Sequence, residues 1–112
     1  MATTLPAGEA LPIASLVTPT SRGVASRVIA RSAGGNITVF AFDEGEEISE
    51  HSAPFDALVL TQEGTLALTV GGREVTATPG TVVMLPANVP HALRATTPVR
   101  MLLIMLRDTV AG

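Results

Sequence analysis

The chain has 112 residues, 46% of them hydrophobic and 15% charged, and ten acidic against seven basic side chains give a net charge of −3. That length supports one domain with one core, and the composition is that of a folded protein. The arginines, at 22, 27, 31, 73, 94, 100 and 107, are too scattered to neutralise a phosphate backbone, which excludes nucleic acid as an expected partner. Lys, Cys, Tyr and Trp are absent. Schiff bases, thiolate nucleophiles, disulfides and tyrosine acid–base chemistry are therefore out of reach.

Eight prolines and ten glycines, spread along the chain, leave few windows for a helix of three turns, while 31 residues are Val, Ile or Thr, which suit pleated strands. In chain order, residues 11–17 are expected to add an edge strand. Strands are then expected over 24–31 and 37–42, separated by Gly34-Gly35-Asn36, a turn signal. Asp43-Glu44-Gly45-Glu46-Glu47 reads as an acidic surface turn, since its spacing does not return oxygen ligands as a calcium loop does. Residues 57–62 follow as a strand. Over 65–70 the alternation is plainest, with Leu66, Leu68 and Val70 on one face and Thr65, Ala67 and Thr69 on the other. Gly71-Gly72 then supplies the positive φ angles of a tight hairpin into 73–78. Further strands are expected over 81–85, 91–96 and 99–106, with a rigid turn at Pro86-Ala87-Asn88-Val89-Pro90. About eight short strands without an intervening helix predict an all-β closed barrel or jelly roll.

The longest apolar run near the end, 101–106, is six residues, well short of the roughly 20 that span a bilayer. No basic residue precedes Arg22, and Pro6 and Pro12 interrupt the first segment, so no secretory leader is expected and the cytoplasm is the expected location.

Both histidines lie in stretches bounded by glycine. The first, residues 45–64, reads GEEISEHSAPFDALVLTQEG; the second, residues 80–95, contains GTVVMLPANVPHALRA. Here the chain resembles the cupin superfamily, whose two motifs are G-x5-H-x-H-x(3,4)-E-x6-G and G-x5-P-x-G-x2-H-x3-N. Gly45, His51 and Gly64 match the first, and Gly80, Pro86 and His91 match the second. The resemblance runs over about residues 37–107 and implies a cupin-type double-stranded β-helix, a jelly-roll barrel over 21–112, with a short extension or edge strand over 1–20. It also implies a homodimer, with residues 1–20 able to swap onto the partner. In the family, two His and one Glu of the first motif and one His of the second converge on a divalent metal.

This chain departs from that pattern at the metal. Ala53 stands in place of the second His and Ala57 in place of the Glu. His51 and His91 remain, whereas catalytic zinc or iron sites use at least three protein ligands. Asp56 has the wrong parity for the same face, but Pro54 could bend the strand and re-aim it, which makes Asp56 the candidate third ligand. Glu50, adjacent to His51, meets the same parity objection. Met101, Leu103 and Met105 share one face of the last strand, and with Phe55, Val59, Met84 and Leu93 they are the candidate lining of an apolar pocket.

Three functions stay open. The first is a small cupin with a degenerate metal site, binding a small organic ligand inside the barrel with His51 and His91 as polar anchors. The second is a metal-dependent enzyme of dioxygenase or isomerase type, in which His51, His91 and Asp56 hold one Zn, Fe, Mn or Ni ion. The third is a ligand-free structural dimer whose histidines are polar residues of the core. Loss of two family ligands favours the first over the second, and neither a metal nor its absence is favoured by the residues alone.

Overall fold

The structure, a computed structural model, describes residues 5–107. Nine strands follow one short 3-10 turn: β1 (Val24–Ser32), β2 (Gly35–Phe42), β3 (Glu47–His51), β4 (Asp56–Glu63), β5 (Leu66–Val70), β6 (Arg73–Ala77), β7 (Val82–Leu85), β8 (His91–Ala95) and β9 (Val99–Leu106). They form a five-stranded sheet in the order β1-β2-β9-β4-β7 and a four-stranded sheet in the order β3-β8-β5-β6. Every pairing is antiparallel. No helix among the described residues is long and apolar enough to cross a membrane.

Two sheets face each other because the inward row of each strand is apolar and the outward row is not needed for the core. The enclosed cluster takes Phe42 from β2, Ala57 and Val59 from β4, Leu66 and Leu68 from β5, Leu93 and Ala95 from β8, and Val99 and Met101 from β9. The expected Gly71-Gly72 hairpin forms with both glycines at positive φ, 57° and 81°, pairing Val70 with Arg73. Gly64 is held more tightly. Its φ is +79°, and a Cβ there would collide with the Pro98 carbonyl, so the turn between β4 and β5 has room only for glycine.

The all-β expectation holds, and one local expectation is corrected. Residues 11–17 form no edge strand. Instead Ile13–Ser15 make a 3-10 turn, entered from Pro12 and tied by the Ser15 hydroxyl donating to the Pro12 carbonyl at 2.7 Å. The turn delivers Leu16 and Val17 onto the outer face of the five-stranded sheet, against Ile29, Val39 and Ala41. Consequently β2 is buried on both faces, Phe40 and Phe42 toward the barrel interior and Val39 and Ala41 under the N-terminal segment. A strand with no signal in the sequence is β3, whose polar sequence EISEH gives no alternation to read. It becomes a strand by pairing with β8.

Candidate functional site

Ile48 pairs with Leu93 across the β3–β8 ladder, and the next pair is His51 with His91, so three steps along β3 match two along β8. The extra residue is a bulge at Ser49-Glu50. In a regular strand, residues three apart point to opposite faces; the bulge resets the parity, and both Ile48 and His51 line the interior cavity while Glu50 stays exposed. His91 reaches the same cavity from β8, where it sits between His51 on one neighbouring strand and Val70 on the other.

The two imidazoles meet edge to face, with ring centres 4.4 Å apart and planes at 72°. Each is fixed by the same local device. Nδ1 of His51 lies 2.9 Å from the Ser49 carbonyl, and Nδ1 of His91 lies 3.1 Å from the Val89 carbonyl, two residues upstream in both cases. A carbonyl oxygen can only accept, so Nδ1 donates in each ring, and in the neutral form of the ring Nε2 then keeps a lone pair. His91 is 6% exposed, whereas His51 stands at the exposed rim. Burial holds the His91 imidazole below the usual histidine range. The Val89 carbonyl opposes that shift, and His51, when protonated, adds to it.

Around the histidines the walls are apolar. Phe40, Ile48, Ala53, Phe55, Ala57, Leu85, Leu93, Met101, Leu103 and Met105 enclose a volume of about 140 Å³. Of the candidate lining, Phe55, Leu93, Met101, Leu103 and Met105 are on this wall. Val59 is not, being fully buried deeper in the core, and Met84 is corrected outright: it is 47% exposed on the outer face of β7, because Leu85 takes the inward position. Phe40, Ile48 and Leu85 were missed. Leu85 could have been found from the alternation of β7, whereas Ile48 depends on the bulge. A larger cleft of about 260 Å³ lies between Pro19 to Ser21 and Arg100, but its charged side chains are already partnered. Asp43 accepts the N–H groups of Arg22 and Glu44, and Arg100 pairs with Glu63.

The donor set decides whether the site can hold the divalent metal that the resemblance implies. Ala53 and Ala57, at the two departures from the motif, both line the cavity and offer no lone pair. Asp56 does not substitute for them. It is exposed, and its Oδ1 accepts the backbone N–H of Ala87 at 2.8 Å, the opposite parity to inward-facing Ala57. Among the described residues no group of three His, Cys, Asp or Glu side chains comes together. Two imidazoles are one protein ligand short of a catalytic zinc or iron site, so the residues present do not fit the group. What the arrangement offers instead is a small apolar-walled chamber with two imidazoles at its edge.

Loop contacts hold the chamber's upper wall. Asn88 adopts φ +64°, the left-handed conformation that asparagine tolerates, and its N–H donates to the Ala53 carbonyl at 2.7 Å. The Pro86–Pro90 turn is thereby tied to the loop carrying Ala53 and Phe55.

Residues 38–105 match the cupin domain family. Among solved structures, the chain is similar to a cupin superfamily protein from Desulfitobacterium hafniense DCB-2, with 33% identity over 94% of this chain and 96% of that one and a TM-score of 0.87. It is likewise similar to a conserved protein of unknown function from Streptococcus pyogenes, with 29% identity, 96% and 94% coverage and a TM-score of 0.89. A cupin 2 conserved barrel domain protein from Leptotrichia buccalis is 32% identical over 84% of this chain but only 46% of its own length, with a TM-score of 0.80. No curated protein matches the chain. With the family matched over more than half of the sequence, its two motif histidines facing one cavity and its strands in a two-sheet barrel, the chain belongs to the cupin family.

Proposed function

We propose that this cupin is a small-molecule binding protein that holds an apolar organic ligand inside the barrel, with His51 and His91 as its polar anchors. The observation that carries the reading is the chemistry of the wall: Ala53 and Ala57 make the motif's metal-binding corner apolar surface, while the two remaining imidazoles, anchored through Nδ1, turn Nε2 to the chamber as an acceptor when neutral. A neutral imidazole presenting only a lone pair favours a partner that donates, such as a hydroxyl or amide N–H. An apolar body excluding water from the chamber strengthens that hydrogen bond.

The test uses phenol and toluene as probes, two molecules of one size that differ in a donor. Phenol should raise the thermal midpoint more than toluene, and His91→Leu should abolish the difference. Metal content of protein purified without chelator is measured alongside. Stoichiometric Zn, Fe, Mn or Ni that disappears in His51→Ala would replace this reading with the metal-dependent enzyme. Failure of both probes to bind would leave the histidines as polar core residues of a structural protein.

The same reading takes the protein as a homodimer. On the outer face of the five-stranded sheet, Met84, Leu58 and Ile104 form one cross-strand row and Val82, Leu60 and Leu102 the next. Val82 is 60% exposed and Met84 47%, and a contiguous uncharged apolar patch of this kind is self-complementary, which suits a two-fold contact with a second copy.

A further inference from the structure

Resting on that reading, we propose that Arg107 binds an anion at the cavity mouth, and that the ligand is a small monocarboxylate whose apolar body is about the size of one six-membered ring. The alternation of β9 leads to this residue. Met101, Leu103 and Met105 all line the cavity, and the next position in the same row is Arg107. Its backbone remains laddered past the end of the strand, the N–H donating to the Gly34 carbonyl at 2.8 Å, so the row continues to the rim instead of turning away.

There the guanidinium stacks over the Phe55 ring, its carbon 5.5 Å from the ring centre, and Phe55 is itself part of the cavity wall. Stacking occupies one face of the guanidinium. The N–H donors lie in its plane and stay available as a fork for two oxygens. Among the described residues no carboxylate takes that place, since Glu63 pairs with Arg100 and Asp56 is held by the Ala87 N–H.

The interior could not serve the same group. Both imidazoles donate through Nδ1 to backbone carbonyls, and in their neutral form they present only acceptors to the chamber, which disfavours carboxylate oxygens beside them. A carboxylate therefore belongs at the mouth and the apolar body inside. The size follows from the volume, about 140 Å³, against the roughly 150 Å³ of an apolar cavity known to take up benzene.

Binding of two matched pairs tests this on the full chain: benzoate against benzamide, and 3-methylbutanoate against 3-methylbutanamide. The acid of each pair should bind about tenfold more tightly than its amide, the fold-change expected of a charge-assisted hydrogen bond. Arg107→Gln should bring the acid down to the amide while leaving the amide's affinity unchanged, and Arg107→Lys should retain part of the preference, keeping the charge but not the fork. Equal binding of acid and amide, or equal loss of both in Arg107→Gln, would overturn the role of Arg107 and leave the binding cavity standing. No binding of any of the four would overturn the monocarboxylate, and only if phenol and toluene also fail does the binding cavity fall with it.

Discussion

The carboxylate of Asp56 accepts the backbone N–H of Ala87 at 2.8 Å, joining the first residue of β4 to the turn that leads into β8. Since the same turn holds Ala53 through Asn88, one side chain braces the loop above the chamber. Asp56→Ala should cost about 1 kcal/mol, seen as a thermal midpoint lower by several degrees, and Asp56→Asn should recover part of it by keeping an acceptor. An unchanged midpoint in the alanine variant would show that the brace is dispensable.

The depressed affinity of His91 for protons sets a pH dependence. Between its folded pKa and the unfolded value near 6.5, the unfolded chain binds more protons than the native one, so stability rises with pH through that window. The contribution is complete above about pH 6.5 and is lost as the pH falls through the folded pKa. Urea midpoints should thus decline on acidification below 6.5, and His91→Leu should flatten the decline. A slope that survives in that variant would place its origin elsewhere.

Thr61 is 1% exposed on the inward row of β4, and its hydroxyl has no hydrogen-bond partner among the described residues. Thr61→Val keeps the shape and removes the unpaired group. It should stabilise by about 1 kcal/mol, read as a higher urea midpoint at unchanged m value.

Restoring the lost donors should restore the lost chemistry. The double substitution Ala53→His and Ala57→Glu places four donors around one cavity, and the variant should take up one Zn or Mn per chain with a rise in thermal midpoint in excess metal. The parent protein is the control. Absence of uptake in the double variant would mean that these two positions do not aim at a common point.

A charge set into the outer apolar rows should separate the proposed pair of subunits. Met84→Glu places a carboxylate beside Leu58 on the exposed face, away from the barrel interior. Light scattering should report a dimer for the parent and a monomer for the variant. A parent that is monomeric at micromolar concentration would remove the homodimer.

Much of this architecture is readable from local pattern. Strand alternation such as Leu66, Leu68 and Val70, and turn chemistry such as Gly71-Gly72, are set by neighbours in sequence, and the two-sheet barrel follows from them. What escapes is decided by partners distant in sequence. Nothing in EISEH announces a strand, still less a bulge that brings His51 onto the face of Ile48; both exist because β8 lies alongside. Asp56 illustrates the same limit from the other side. The chain does bend at Pro54-Phe55, but the bend does not turn Asp56 inward, and the group that claims its carboxylate lies 31 residues away. At the mouth, the period of β9 does reach Arg107, but only the stacking on Phe55 gives that residue a task.

The ninth strand in the chain is the third in its sheet, lying between β2 and β4. Until β9 is inserted, two long strands expose unpaired edges toward each other, and the chamber lacks the wall made by Met101, Leu103 and Met105. Assembly must therefore wait for contacts between segments some 60 residues apart, pairings such as Phe40 with Met101, which makes closure a late and slow event in folding. A chain stalled before that step would offer both open edges to other chains, so the strand that completes the chamber also guards the chain against aggregation.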